Sequence, residues 1–315
     1  MTTVDYQVVK HLNRGWPKRA TVCSMTGMQP LETFDATLHD YPSRLVPFFE
    51  HPKFQCLDDS AKSLVLTWGW MGYNQRTITA EDCVVNPALS FIATDLLKEE
   101  DWDFHEAIRQ TLVDEHYHTL MHMRAMERTR TERGLTARLS LPRSVTFRRL
   151  EALKATLTQS WERSLAAVAF ATVAEISVNA FLDILADDES IQPANRAVAQ
   201  MHNRDEYAHS KTLGEISKVL YQGLNAEQRK FFVRVLPEAL RAFVAQDYSM
   251  WEAILGQLGI EGRKEMLADA TAASRSGVIM RDYSGLHRFA EETGILADMD
   301  FDFTGSIPVK LTLQQ

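Results

Sequence analysis

Apolar residues recur along most of this chain in steps of three and four, the spacing that places side chains on one face of an α-helix. Residues 1–57 are the exception. They carry Pro17, Pro30, Pro42, Pro47 and Pro52 and read as an extended wrapping segment with short helical turns. From residue 58 to 315 the pattern predicts one helical domain, so the chain reads as a single domain overall. Asp58 and Asp59 are suited to cap a helix through "SAKSLVLTWGWMGYNQ", and Thr79 with Glu81 and Asp82 suggests a second start. That second helix runs to about Leu97, with Pro87 positioned to kink it.

A third helix is predicted from Asp103 to Thr131, with Ile108, Leu112, Glu115, Thr119, His122 and Met126 at helical steps and Gly134 beyond its end. "LTARLSLPRSVT" reads as a loop. Phe147 to Ala186 is long enough for one bent helix or two. Pro193 opens another that reaches about Tyr221, and Gly223-Leu-Asn225 leads into a last one ending near Gly259. Strict alternation is confined to the tail "SIPVKLTL". The fold class expected is all-α, a bundle of long helices with additional helices around it.

One position breaks the apolar pattern. Glu175 sits at the centre of "VAFATVAEISVNAFL", and a carboxylate buried there needs a proton, an ion-pair partner or a metal. The stretch Leu165 to Leu185 approaches membrane-spanning length, but its polar residues and missing flanking anchors argue for a core helix. With 45% hydrophobic residues, a net charge of −8 and no basic run, neither a membrane nor nucleic acid is expected as a partner. Cys23, Cys56 and Cys83 are widely spaced, which speaks against disulfides or a thiolate zinc site. The N-terminus has no signal-peptide pattern, so a cytoplasmic location is expected.

"DEHYH" at Asp114–His118 and "DEYAH" at Asp205–His209 both read D-E-x-x-H. About one E-x-x-H is expected by chance in such a chain, but two copies with the preceding Asp on separate helices are not. Residues three apart share a helix face, so Glu115 with His118 and Glu206 with His209 can each chelate one ion. Two such pairs plus one Glu from each of two other helices make the di-iron centre of ferritin-like bundles. Glu175 is one completing carboxylate. For the other, Glu81 is preferred over Glu99, Glu100 and Glu106, because it leads into an apolar run while the others lie in the polar "KEEDWDFHE". Asp114 and Asp205, each four residues before a histidine, are candidates to orient His118 and His209 respectively. His105, His116 and His122 read as surface or core-edge histidines.

His202 stands four residues before Glu206, giving "HNRDEYAH". With that residue the chain resembles the p-aminobenzoate N-oxygenase family, ferritin-like di-iron proteins with the order E, E-x-x-H, E, H-x-x-x-E-x-x-H. The resemblance spans about residues 41–215. It implies Glu81, Glu115, His118, Glu175, His202, Glu206 and His209 as ligands of two non-haem irons, with O2 as co-substrate and an external electron donor acting as redox partner. It implies Tyr73 and Arg76 beside a substrate carboxylate, while Phe181 replaces an Asn that helps hold the aromatic acid in the best-known member. The substrate implied is an amine, a small molecule or one tethered to a carrier protein, oxidised through the hydroxylamine toward a nitroso, nitro or related product. A homodimer is the expected assembly. The alternatives are a di-iron hydroxylase or desaturase, against which His202 argues, and an iron-storage or radical-carrying protein.

Overall fold

A computed structural model describes residues 4–24, 34–98, 100–273 and 278–307. Among them there is no strand, only isolated bridges His39–Ile191 and Ala245–Val278. The helices are α1 (Tyr6–Arg19), α2 (Pro52–Gln55), α3 (Asp59–Ala80), α4 (Asn86–Phe91), α5 (Trp102–Glu132), α6 (Val145–Thr156), α7 (Ser160–Ala186), α8 (Pro193–Gly223), α9 (Ala226–Phe243), α10 (Tyr248–Gln257), α11 (Arg263–Ala273) and α12 (Ser284–Thr293).

Helices α3, α5, α7 and α8 form the central bundle, α9 packs against α7, and α1 lies across α5 and α8. Helix α7 is apolar almost all round and sits innermost. It is the one described helix long and apolar enough to cross a membrane, and 78% of its most apolar window is buried inside the protein. A single apolar cluster reaches from Val9 on α1 to Met299.

Several boundaries follow the sequence reading. The Asp58 side chain accepts from Ala61 N at 2.8 Å and starts α3, and Asn225 with Gln228 forms a reciprocal cap on α9. Others do not. The N-terminal segment is not simply extended: Asp5 accepts from the backbone N–H groups of Gln7 and Val8 and starts a four-turn helix that tolerates Pro17 near its end. Thr79 starts no helix, because its hydroxyl donates back to Gln75 O and α3 runs on into a π-helical turn, Glu81–Val85. A second π turn, Ile92–Leu96, follows α4. Phe147–Ala186 divides into α6 and α7, and the helix expected to end near Gly259 divides into α9 and α10. The tail proposed as a strand lies mostly outside the described residues.

Glycine sets two close approaches. A Cβ at Gly72 of α3 would lie 2.4 Å from Met250 Sδ on α10, and one at Gly285 of α12 would lie 1.9 Å from the Ile176 carbonyl oxygen on α7. The second of these brings α12 against α7 beside Glu175.

Candidate metal centre

Seven buried side chains converge in the bundle. Glu81 comes from the π turn after α3, Glu115 and His118 from α5, Glu175 from α7, and His202, Glu206 and His209 from α8. His209 Nδ1 lies 2.8 Å from Glu115 Oε1, 3.2 Å from Glu206 Oε1 and 3.9 Å from Glu175 Oε2. His118 Nδ1 lies 3.4 Å from Glu206 Oε1 and 3.8 Å from Glu115 Oε2. His202 Nε2 lies 3.1 Å from Glu206 Oε1 and 3.3 Å from Glu81 Oε1. In Glu115–Glu175–Glu206–His209 and in Glu81–Glu115–His118, the donor atoms all fall within 4.8 Å of one another. Of the other carboxylates weighed for the fourth helix, Glu100 and Glu106 are exposed and Glu99 lies outside the described residues.

Glu81 is the first residue of the π turn. Its i→i+5 hydrogen bonding, with Asn86 N donating to Glu81 O, widens the backbone and rotates the following residues relative to an α-helix. Thr119 on α5 then donates to Glu81 Oε2 at 3.1 Å.

The donor set fits a pair of hard, oxygen- and nitrogen-preferring cations. Glu81 Oε1, Glu115 Oε1, Glu175 Oε2, Glu206 Oε2 and His118 Nδ1 are buried without a hydrogen bond. Such atoms are costly in a protein interior unless an ion takes them. Burial, with repulsion from Glu115 and Glu206, pushes the Glu81 and Glu175 carboxyls well above the usual range. Glu206 goes well below it, because His209 and the other imidazoles outweigh its burial. His118 and His209 are held well above the ordinary imidazole value against burial, His118 by hydrogen bonds led by Asp205 and His209 by the Glu206 charge and Asp114. Four carboxylates in one dry site require positive charge.

Behind the histidines stand further partners, and two of them cross between helices. Asp114 on α5 contacts His209 Nε2 on α8 at 3.0 Å, and Asp205 on α8 contacts His118 Nε2 on α5 at 3.1 Å. The expectation that each aspartate orients the histidine of its own motif is therefore corrected: each orients the other's. A carboxylate on Nε2 leaves Nδ1 to face the cluster. The N-terminal segment covers both aspartates. Trp16 Nε1 donates to Asp114 at 3.0 Å, and Thr21 N donates to Asp205 at 3.1 Å with Arg19 nearby at 3.7 Å.

His122 is not a core-edge residue but fully buried. Asn74 Nδ2 donates to Trp70 O at 2.7 Å, which turns Asn74 Oδ1 toward His122 Nδ1, also 2.7 Å away. His122 Nδ1 therefore donates to the amide oxygen. Its Nε2 accepts from His202 Nδ1 at 2.9 Å, and burial with neighbouring imidazoles pushes both rings below the ordinary imidazole value. His202 Nε2 then carries a lone pair facing two carboxylates, an arrangement that a cation between them makes favourable. The signal for His122 was present in its spacing, four residues after His118 and seven after Glu115.

A cavity of about 350 Å³ lies beyond Arg76 and Phe181, lined also by Tyr41, Tyr73, Asp247 and Trp251. A smaller void lies against Glu81, Glu115, Glu175, His202 and Glu206, and Arg76 and Phe181 border both spaces. The Arg76 guanidinium lies 5.3 Å from the Phe181 ring centre and donates to Phe243 O. Tyr73 stacks on Trp70 and meets Phe181 and His122, and its buried hydroxyl has no hydrogen bond.

Residues 3–294 match the family described as P-aminobenzoate N-oxygenase AurF. The chain is also 37% identical over 294 residues, 93% of its own length and 88% of the relative's, to a 4-aminobenzoate N-oxygenase of Streptomyces thioluteus.

Proposed function

Because this chain belongs to the AurF p-aminobenzoate N-oxygenase family and is an amine N-oxygenase, we propose that it holds two irons and oxygenates a free, carboxylate-bearing aromatic amine. The observation that carries this is the set of five buried ligand-type atoms without a hydrogen bond around one point in the bundle. The irons would be held by Glu81, Glu115, His118, Glu175, His202, Glu206 and His209. When bound, they supply the activation of O2 that delivers one oxygen atom to nitrogen. The first oxygenation converts amine, O2, two electrons and two protons into hydroxylamine and water, and repetition leads toward nitroso or nitro products.

The side chains do the rest. Asp114 and Asp205 hold two imidazoles with Nδ1 inward, and the Asn74–His122 chain holds the third with Nε2 inward. Arg76, at the border between cavity and cluster, pairs with the substrate carboxylate and so aims the opposite end of a planar ring at the cluster. Tyr73 offers its unused hydroxyl to the same carboxylate. Phe181 closes the pocket with an apolar wall, favouring a substrate less polar than a simple aminobenzoate. A cavity of this size suits a free single-ring acid better than a chain-tethered one. Iron-loaded protein supplied with reductant, O2 and a panel of carboxylated aromatic amines should give N-oxidised products by mass spectrometry. Products oxidised only at carbon would favour the hydroxylase reading instead.

A further inference from the structure

We propose that Trp16 is the port through which electrons reach the metal pair, relayed by Asp114 and His209; the inference rests on the di-iron reading above. The half-buried Trp16 indole lines a surface hollow beside Trp102, His105 and Arg109. Its Nε1 lies 3.0 Å from both Asp114 oxygens. Asp114 Oδ2 lies 3.0 Å from His209 Nε2, and His209 Nδ1 faces Glu115 and Glu206. The path from the protein surface to a metal-facing nitrogen therefore contains only covalent bonds and two hydrogen bonds.

Among the described residues, the other two histidines have no comparable route to the surface. Behind His118, Asp205 ends on the Thr21 backbone N–H and Arg19, neither of which exchanges electrons. Behind His202, His122 leads to Asn74, Tyr73 and Trp70, all buried in the core. Electronic coupling through bonds and hydrogen bonds exceeds that across a van der Waals gap, and the indole carries that bonded path out to the surface hollow. A buried centre whose reaction consumes two electrons per oxygen transferred needs such an inlet.

The step is balanced as an outer-sphere transfer. A one-electron donor, a reduced iron–sulfur protein or a reduced viologen, loses one electron and one ferric ion becomes ferrous. No bond forms or breaks, Trp16 ends as it began, and a second passage reduces the second ion.

Trp16→Phe keeps an aromatic ring and removes the indole N–H. The oxidised, iron-loaded full-length protein is mixed anaerobically with reduced methyl viologen, and loss of the ferric absorbance is followed by stopped flow, beside iron titration and thermal melts. Reduction should slow severalfold, with two irons bound at unchanged affinity and an unchanged melt, while Trp161→Phe, remote from this path, reduces at the normal rate. An unchanged rate in Trp16→Phe overturns the relay. So does slowing matched by an equal loss of iron affinity, which would make Trp16 a positioning residue acting through Asp114. A parent protein that binds no iron pair overturns the di-iron reading itself, which is a distinct result because the absorbance, not the amine product, is measured.

Discussion

At the scale of single residues, His122 and Arg76 carry the clearest consequences. His122→Leu removes the acceptor for His202 Nδ1 and the donor to Asn74 Oδ1 in a fully buried place. Stability should fall by about 1–3 kcal/mol for the orphaned polar groups, and the freed His202 ring should bind iron roughly 10- to 100-fold more weakly; iron titration with denaturant unfolding measures both. Arg76 borders the cavity rather than the surface. Arg76→Lys keeps the charge but loses the bidentate fork. It should raise KM for a carboxylated amine by roughly tenfold or more with iron content unchanged, and unchanged kinetics would return Arg76 to a packing role over Phe181. The Glu115–His118 and Glu206–His209 pairs and Glu175 were legible because three-residue spacing and a carboxylate in an apolar run are properties of one helix, while His202 entered as a ligand only through the family resemblance. The crossed pairing of Asp114 with His209 and Asp205 with His118 was not, because spacing within a helix does not report which residue of a neighbouring helix lies opposite.

Among helices, close contacts decide what can change. Gly285 of α12 meets the carbonyl of Ile176, next in sequence to Glu175. Gly285→Ala must push α12 away from α7, at a cost of about 1–3 kcal/mol as for other overpacked sites, read in a denaturant midpoint. Asp247 caps α10 through Met250 N and pairs with Arg148 at 3.0 Å. Although burial acts to raise it, these partners hold its carboxyl below the ordinary range. A depressed folded value means stabilisation present above the unfolded pKa and lost as pH falls through the folded one. Asp247→Asn should therefore be less stable than the parent at neutral pH, with the gap closing below about pH 4, as melts across a pH series would record. The helical periods of α3, α5 and α8 could be read from apolar spacing, and α7, apolar almost all round, from the length of its run. The π turn at Glu81 could not, since five residues are too few to display a changed period, and α1 was hidden because proline marks a helix's first or last turn as readily as a loop.

For the whole molecule, the buried acidic cluster would couple binding of the proposed metal pair to folding. Four carboxylates and three imidazoles in one dry site repel or leave polar atoms unpaired, and their ligands come from four helices. A metal that binds only the folded state adds stability by mass action, about 2.7 kcal/mol at a hundredfold excess over its Kd. Chelation should therefore lower Tm by several degrees, given the roughly 2–4 °C per kcal/mol of larger domains, and re-addition of Fe(II) should restore it. Calorimetry with and without chelator checks this, and equal melting temperatures would argue against ligands shared among the four helices.

Helix α7 also poses a problem during synthesis. Its apolar surface is covered mainly by α8 and α9, which follow it in the chain and end at Phe243. At translation rates of about 5–20 residues per second, the ribosome needs roughly 3–11 s to deliver them. For that interval the nascent chain displays a segment hydrophobic enough to be captured by membrane-insertion machinery. Glu175 stands at its middle, and an acidic residue at the centre of a spanning helix opposes insertion by about 2.5–3.5 kcal/mol. The carboxylate proposed to hold the metal would thus also disfavour insertion of the newborn helix into a bilayer.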